Sequence, residues 1–496
     1  MSSADLPGSL GGAAPPAAPL PPADGFLARL AARFTTWAER WIPDAYVFAL
    51  AATVIVVVAA FVSLSQTVPA TEAAGRIVRA WGGGFWELLP FTLQMALVII
   101  TGSVVATTRP VARLIAWLAR VPRTAKGAVA WVTFFAMASS WFNWGFSLIF
   151  SAMLAREVAR RMERVDYRAL CASAFLGLGS IWAQGLSGSA ALQMATPSML
   201  QKDIRDIVAA GGLVEGGVIP LRHTIFLWQS LLSVAIELIV VTVVLYLAAP
   251  SEAKAVTAKA LGLELGASPL DAPAPASRGT PGEWLEHHPA LSVAFVTLAG
   301  AFLALTFVEA ADPLGALTLN TLNLAFLTLG AALHGTPARL MRAVKEATPG
   351  VWGVLLQFPL YAGIAALITK TQLSQQLAHW FVGLSTPTTF PAVIATYSAV
   401  LGIFVPSGGS KWVIEAPYVM QAAHELEVHL GWMVAVYDLG EALANLLQPF
   451  WMLPVLGLFG LKARDVMGYT MLVFLVLAPL VLVLVTVLGL TLTYPL

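Results

Sequence analysis

Charge is what this chain has least of. Only 11% of its 496 residues are Asp, Glu, Lys or Arg, where a soluble domain carries about 25%. The net charge of +1 excludes a nucleic-acid partner, because phosphate binding needs a concentrated basic face. Cysteine is nearly absent: Cys171 stands alone, which excludes an intrachain disulfide and any cysteine-based metal site. The seven histidines form no zinc-binding spacing, and no Gly-x4-Gly-Lys-Ser/Thr motif is there to cradle a nucleotide. Without a paired nucleophile and base or a metal motif, an enzyme ranks far below a non-catalytic role, and no cofactor is expected.

What is abundant is apolar surface: 58% of residues are hydrophobic and the mean hydropathy is +0.78. Lipid cannot hydrogen-bond a bare backbone, so spanning segments must be helices or a closed barrel, and long unalternating apolar runs choose helices. The expected fold class is therefore an all-α polytopic membrane protein. Spans are read near Tyr46 to Ser65, Leu88 to Thr107, Thr224 to Leu247, Leu291 to Phe307 and Met471 to Leu492, each near the ~20 residues that cross a bilayer. Further spans are read at Leu314 to Leu333 and at Gly431 to Gly460, the latter too long and interrupted by Pro449 and Pro454. Residues 1–36 form a Pro/Ala-rich tail without the basic start and apolar core of a signal peptide, and are read as disordered. A second Pro/Ala-rich stretch around Asp271-Ala-Pro-Ala-Pro275 reads as a linker over 249–288, between membrane repeats at 37–248 and 289–460. Residues 461–496 then supply a C-terminal transmembrane helix.

Arg109, Arg113, Arg120, Arg123 and Lys126 precede the apolar stretch from Ala128 to Leu154, and Arg156, Arg160, Arg161, Arg164 and Arg168 follow it. Short basic loops face the cytoplasm, which places both ends of the stretch on one side and makes it a re-entrant hairpin. Its tip falls in Ser139-Ser-Trp-Phe-Asn-Trp-Gly145, with two tightly joined short helices as the competing reading.

Beyond the hairpin an apolar segment runs into Gly185-Leu-Ser-Gly-Ser189 and ends at Pro197; much later Leu401 leads into Pro406-Ser-Gly-Gly-Ser-Lys411 and ends at Pro417. With Pro197 set against Pro417, Ser187-Gly188 falls on Ser407-Gly408 without a gap. The pair Leu176-Gly177 lies upstream of the first break as Leu401-Gly402 does of the second. A second basic arm (Arg339, Arg342, Lys345) precedes a second hairpin from Val351 to Phe381, its tip read at Pro359-Leu-Tyr-Ala-Gly363. Gly/Pro-interrupted spans in corresponding positions of two repeats point to a secondary transporter's binding site. Unwinding there frees amides for an anion and carbonyls for a cation, whereas the bland reading of the same glycines is close helix packing.

The residues at these points resemble the bacterial short-chain fatty acid transporter family. The resemblance rests on Phe404-Val-Pro-Ser-Gly-Gly-Ser-Lys-Trp412, Glu415-Ala-Pro417 and Gly440-Glu-Ala-Leu-Ala-Asn-Leu-Leu-Gln-Pro-Phe-Trp451. It extends to Asn320-Thr-Leu-Asn-Leu324, Leu333-His-Gly-Thr-Pro337, Gly353-Val-Leu-Leu-Gln-Phe-Pro-Leu-Tyr361 and Trp141-Phe-Asn-Trp-Gly145, covering most of the chain after Trp37. It implies membership of a wider ion transporter superfamily with paired hairpins, unwound helices and inverted repeats, often dimeric and moving like an elevator. It further implies secondary transport of small carboxylates such as butyrate or acetoacetate across the bacterial inner membrane, coupled to H+ or Na+. A carrier of dicarboxylates or amino acid derivatives is the alternative, and a channel a remote one. Basic residues before both hairpins place both on one face, which inverted repeats do not allow without a further crossing.

The candidate substrate site is Ser187, Gly188 and Ser189 with Ser407, Gly408, Gly409, Ser410 and Lys411, joined by Asn143 at the first hairpin tip. Lys411 pairs either with a substrate carboxylate or with Glu415 four residues on. Glu441 falls with Asp438, Asn445 and Gln448 in a polar stripe at helical spacing that must face the bundle interior, where it carries a proton, helps hold a cation or bonds a neighbouring helix. Asn445, Asn320 and Asn323 are further candidates for ion coupling, and for Asn143, Asn320 and Asn323 interhelical hydrogen bonding is the competing role. The sixteen tryptophans suit interfacial belts.

Overall fold

A computed structural model describes residues 45–198, 200–212, 214–265, 279–310, 313, 316–371, 373–404, 408–448 and 450–496. The expected tail at 1–36, the stretch Asp271-Ala-Pro-Ala-Pro275 and Ser407 lie outside the described residues. Among those described the fold is all helix, with no strand. The first half runs α1 (Ala45–Leu64), α2 (Ala70–Gly84), α3 (Leu89–Ala106), α4 (Arg109–Leu118), α5 (Ala125–Phe142), α6 (Trp144–Arg161), α7 (Tyr167–Leu176), α8 (Ser189–Ala195), α9 (Lys202–Val208) and α10 (Trp228–Ala248). After it come α11 (Pro281–His287), α12 (Ala290–Glu309), α13 (Leu319–His334), α14 (Pro337–Ala347), α15 (Trp352–Lys370) and α16 (Leu373–Leu384). The chain closes with α17 (Phe390–Phe404), α18 (Gly408–Glu425), α19 (Leu430–Asn445), α20 (Leu453–Phe459) and α21 (Ala463–Gly489).

Among the described residues six helical segments are long and apolar enough to cross a membrane: Leu89–Ala106, Tyr167–Ala195, Trp228–Ala248, Ala290–Glu309, Pro337–Lys370 and Ala463–Gly489. Two of them, Trp228–Ala248 and Ala290–Glu309, bury only 22% and 17% of their length. In α12 only Ser292 and Ala299 are buried, while Leu298 is 74% and Val308 81% exposed. Apolar surface on this scale is unfavourable in water and neutral in lipid, so this face is the protein's bilayer contact. At the opposite extreme is α19, every residue of which is buried. It packs against α17, α18, α21 and the interrupted span between α7 and α8, and is the axis of the bundle.

The first hairpin reverses at Asn143, inside the expected tip. Its arms are longer than a half-crossing: α5 and α6 have 18 residues each, about 27 Å apiece. Asn143 makes the turn by leaving helical geometry (φ −158°, ψ 117°) and capping α6, its side chain accepting from the Phe146 amide at 2.7 Å. The second hairpin corrects the expectation. Pro359-Leu-Tyr-Ala-Gly363 is no tip but lies within the continuous helix α15, and the chain turns near Thr371, ahead of α16. A proline in a membrane helix removes one backbone bond without breaking the helix when neighbouring helices cover the freed carbonyl; α15 is packed on by α1, α2, α3 and α18.

The first expected break interrupts a helix, while the second falls between the described ends of α17 and α18, with Pro406 and Ser407 outside the described residues. After α7 the chain widens into a π-helical turn (Gly177–Ile181), tightens into a 3-10 turn (Trp182–Gln184), runs non-helically through Gly185–Gly188, and re-enters helix at Ser189. Non-helical backbone at this depth needs protein partners, and the first hairpin tip supplies them. The Leu186 amide donates to the Trp141 carbonyl at 2.7 Å, and the Trp144 amide donates to Ser187 Oγ at 2.9 Å. Gly185 makes the approach feasible, since a Cβ there would run into the Trp141 carbonyl.

The long Gly431 to Gly460 stretch resolves into α19 and, after a non-helical step and a 3-10 turn, the short α20. Part of the expected linker is docked: the Val256 amide donates to Asp166 at 3.0 Å, and Arg156 and Arg160 both donate to the Leu265 carbonyl.

Gly185→Ala is expected to lower stability by about 1–3 kcal/mol, the usual cost of overpacking, while Gly300→Ala on lipid-facing α12, where a Cβ meets nothing within 4 Å, leaves it unchanged. Thermal unfolding of both variants in detergent measures the difference.

Candidate functional site

One helix addresses both breaks. From α19, Asp438 accepts a backbone hydrogen bond from Ala191 in the first turn of α8. The Tyr437 hydroxyl donates to the Gly408 carbonyl at the start of α18. Two turns on, Asn445 donates to the Leu178 carbonyl in the π turn at 3.1 Å, and Gln448 donates to Asn445 at 2.8 Å. The helical spacing of this polar stripe puts it on the face that meets the interrupted spans. The breaks are also tied to each other, Gln193 donating to the Gly409 carbonyl at 2.9 Å.

At the centre of the stripe lies a buried ionic cluster. Lys411 Nζ is 2.6 Å from Glu441 Oε2 and 3.1 Å from Glu415 Oε1, and donates to the Ser398 carbonyl at 2.7 Å. The ammonium thus hydrogen-bonds one carbonyl and lies within ion-pair distance of two carboxylates, and it also sits 4.5 Å from the centre of the Tyr437 ring. Glu415 is held further by the Ser398 hydroxyl at 2.5 Å. Lys411, Glu415 and Glu441 are all fully buried, and Glu441 Oε1 has no hydrogen-bond partner among the described residues. Two carboxylates therefore face one ammonium. Burying that excess charge costs several kcal/mol per ion, and one bound proton or cation removes it. Glycine makes room for the cluster: a Cβ at Gly402 would stand 2.8 Å from Glu441 Oε2 and 2.6 Å from the Ala444 methyl.

Beside the cluster is a small cavity of about 20 Å³, bounded by both breaks. Trp182 and Ser189 border it from the first, Gly408 and Gly409 from the second, and Trp144 and Trp451 from the side. Met95, Leu178, Val354 and Phe358 complete an apolar lining. As it stands it has room for a water molecule, so a larger ligand enters only as its walls move apart.

The expected site residues divide accordingly. Ser189, Gly408 and Gly409 border the cavity. Ser187 and Gly188 hold the first break itself, Ser187 through the Trp144 amide and Gly188 by donating to the Gly185 carbonyl at 2.8 Å. Asn143 caps α6. Lys411 is engaged by its ion pairs, with Glu441 a closer partner than Glu415. Ser407 and the Ser410 side chain are outside what is described. Asn320 and Asn323 both meet Gln94 of α3, at 2.8 and 2.5 Å, joining α3 to α13 as interhelical hydrogen bonds do.

Comparisons with known proteins identify the family. Residues 26–490 match the family model described as "Short chain fatty acid transporter". The chain belongs to the short-chain fatty acid transporter family. Two relatives share the name "Putative short-chain fatty acid transporter". The one from Escherichia coli (strain K12) is 36% identical over 89% of this chain and 96% of its own length. The one from Haemophilus influenzae (strain ATCC 51907 / DSM 11121 / KW20 / Rd) is 32% identical over 92% and 99%. Two solved structures share the fold. The Alcanivorax borkumensis YdaH transporter has a TM-score of 0.53 at 16% identity, covering 90% of this chain and 98% of its own. Neisseria gonorrhoeae MtrF, described with a class of antimetabolite efflux pumps, has a TM-score of 0.55 at 14% identity, covering 93% and 97%. This member of the family is accordingly a multi-pass membrane transporter and not an enzyme.

One buried carboxylate of the transporter escaped sequence reasoning. Glu237, midway along α10 and 1% exposed, receives Gln184 Nε2 on both oxygens at 3.0 Å. A single charge inside a span that is otherwise apolar was the available signal. For the ionic cluster, Lys411→Met is expected to destabilise the transporter by about 3–5 kcal/mol, because it strands two buried carboxylates. Glu441→Gln added to it restores part of that loss, and unfolding of the singles and the double in one cycle measures the coupling.

Proposed function

We propose that the chain imports short-chain monocarboxylates such as butyrate or acetoacetate across the bacterial inner membrane by proton symport, with Glu441 as the proton carrier. The observation that carries this reading is the excess of buried carboxylate over ammonium around Lys411, directly beside a small cavity bounded by both breaks. A proton on Glu441 balances Lys411 against Glu415 and leaves these three residues neutral, with Asp438 a further buried carboxylate on the same face. A monoanion entering with that proton adds no net charge, so the loaded carrier crosses the low-dielectric interior without the desolvation cost of a bare ion. The apolar lining favours a short acyl chain, and with the Lys411 donors engaged the site lacks a free cation for a second carboxylate, which favours a monocarboxylate over the dicarboxylate alternative. The names of the relatives support the same substrate class. An elevator-like movement of the part that carries both breaks belongs to this reading.

Proteoliposome uptake of labelled butyrate and acetoacetate under separately imposed H+ and Na+ gradients tests it. An inward proton gradient is expected to drive accumulation; accumulation driven by Na+ alone would overturn the proton assignment. Glu441→Gln, fixed in the proton-loaded form, is expected to lose gradient-driven accumulation and keep exchange of labelled for unlabelled substrate. Phe358, stacked on Phe91 with centroids 5.8 Å apart, limits the cavity, so Phe358→Ala should shift preference from butyrate toward hexanoate by about tenfold or more in competition uptake.

A further inference from the structure

We propose that the substrate carboxylate is received by the indole N–H groups of Trp144 and Trp182, with Lys411 acting on it only through the charge balance of the cluster. The inference rests on the carboxylate-transport reading above and adds to it the groups that hold the anion. Trp144 and Trp182 are each 4% exposed and both border the cavity between the breaks. Neither indole nitrogen has a hydrogen-bond partner among the described residues. Trp81, Trp141 and Trp412 share that state, and what sets this pair apart is that both side chains border one cavity. An indole N–H is a donor only, and buried donors almost always find an acceptor, so two orphans on one small cavity mark a place for one. A third donor adjoins them: the only recorded partner of the Ser189 hydroxyl is Met95 sulfur at 3.6 Å, a weak acceptor.

The rings are built into place. Trp144 is the first residue of α6, fixed by its amide on Ser187 Oγ and by the Asn143 cap. Trp182 lies in the 3-10 turn before the first break, with its ring centroid 6.2 Å from that of Trp144 at a steep 77°. Gly408 of the second break leaves space for it, since a Cβ there would stand 2.5 Å from Trp182 Cη2. Each break thus contributes to the anion site, one with a ring and the other with the room for it. Met95, Val354 and Phe358 remain for the acyl chain.

Neutral donors also suit the charge balance. A lysine free in the cavity would hold the anion as an ion pair whether or not a proton were bound. Two indoles leave the anion's charge uncompensated, which makes its binding depend on the proton beside it.

The test uses full-length protein in nanodiscs, with butyrate affinity measured by calorimetry and ligand-free stability by thermal unfolding. Trp→Phe removes the N–H and keeps an aromatic ring. Trp144→Phe and Trp182→Phe are each expected to weaken butyrate binding about tenfold or more, the loss of a hydrogen bond to a charged group. Ligand-free melting temperature is expected to fall slightly, and by no more than in the Trp412→Phe control. The smaller ring leaves a void, whose cost is partly offset by removing an unpaired buried donor. Trp412→Phe is the control: its indole nitrogen is also buried and unpartnered but does not border the cavity, and its affinity should stay unchanged. Wild-type affinity in both Phe variants, or affinity lost only in step with melting temperature, would overturn the inference and leave the transport reading standing. A wild-type protein that binds and transports no short carboxylate overturns both.

Discussion

Every functional feature of this protein follows from the need to pair broken backbone inside an apolar solvent. A helix satisfies its own amides and carbonyls in lipid; an interrupted helix does not. At the first break the hairpin tip provides partners through Trp141 and Trp144, and α19 provides the rest through Asp438 and Asn445. At the second, Tyr437 of the same helix secures Gly408. A helix serving both breaks has to be buried throughout, as α19 is, and must carry polar residues on the face that meets them. The hairpins, the interrupted spans and the polar stripe are thus one arrangement.

That arrangement fixes the electrostatics. A lysine beside the second break is held in an apolar interior only if acceptors surround it, and the two carboxylates and one carbonyl around Lys411 meet that requirement. The same three residues, Lys411, Glu415 and Glu441, carry more negative than positive charge in a dry site, a burial that any bound proton or cation eases. The cavity lies directly beside them, so whatever changes the charge of the cluster changes the field in which an anion binds.

Much of the fold was legible in the sequence. The five firm spans correspond to helices, the turn at Asn143 lies inside the expected tip, and the first Ser/Gly break interrupts a helix at Gly185–Gly188. These readings succeeded because each rests on local chemistry, either apolar length or residues that tolerate an unwound backbone. The second hairpin tip failed for a local reason as well. Pro359 and Gly363 look like a turn in isolation, yet the helices around α15 cover what the proline frees. Glu237 belongs to no glycine-rich motif, and its one signal in the sequence is its isolation in an apolar span.

Composition and motif order alone determined that this is a helical membrane protein with two interrupted spans, since hydropathy and glycine placement act through solvent and local backbone geometry. Which side chains share a site was decided only by tertiary structure. Asn320 and Asn323 go to Gln94 and Asn143 goes to a cap, while Trp144 and Trp182, which composition assigned to interfacial belts, border the central cavity. Lys411 chose Glu441 over a free cavity wall. The reason is physical: a polar side chain in lipid takes the best partner within reach, and reach depends on how helices far apart in sequence are packed together.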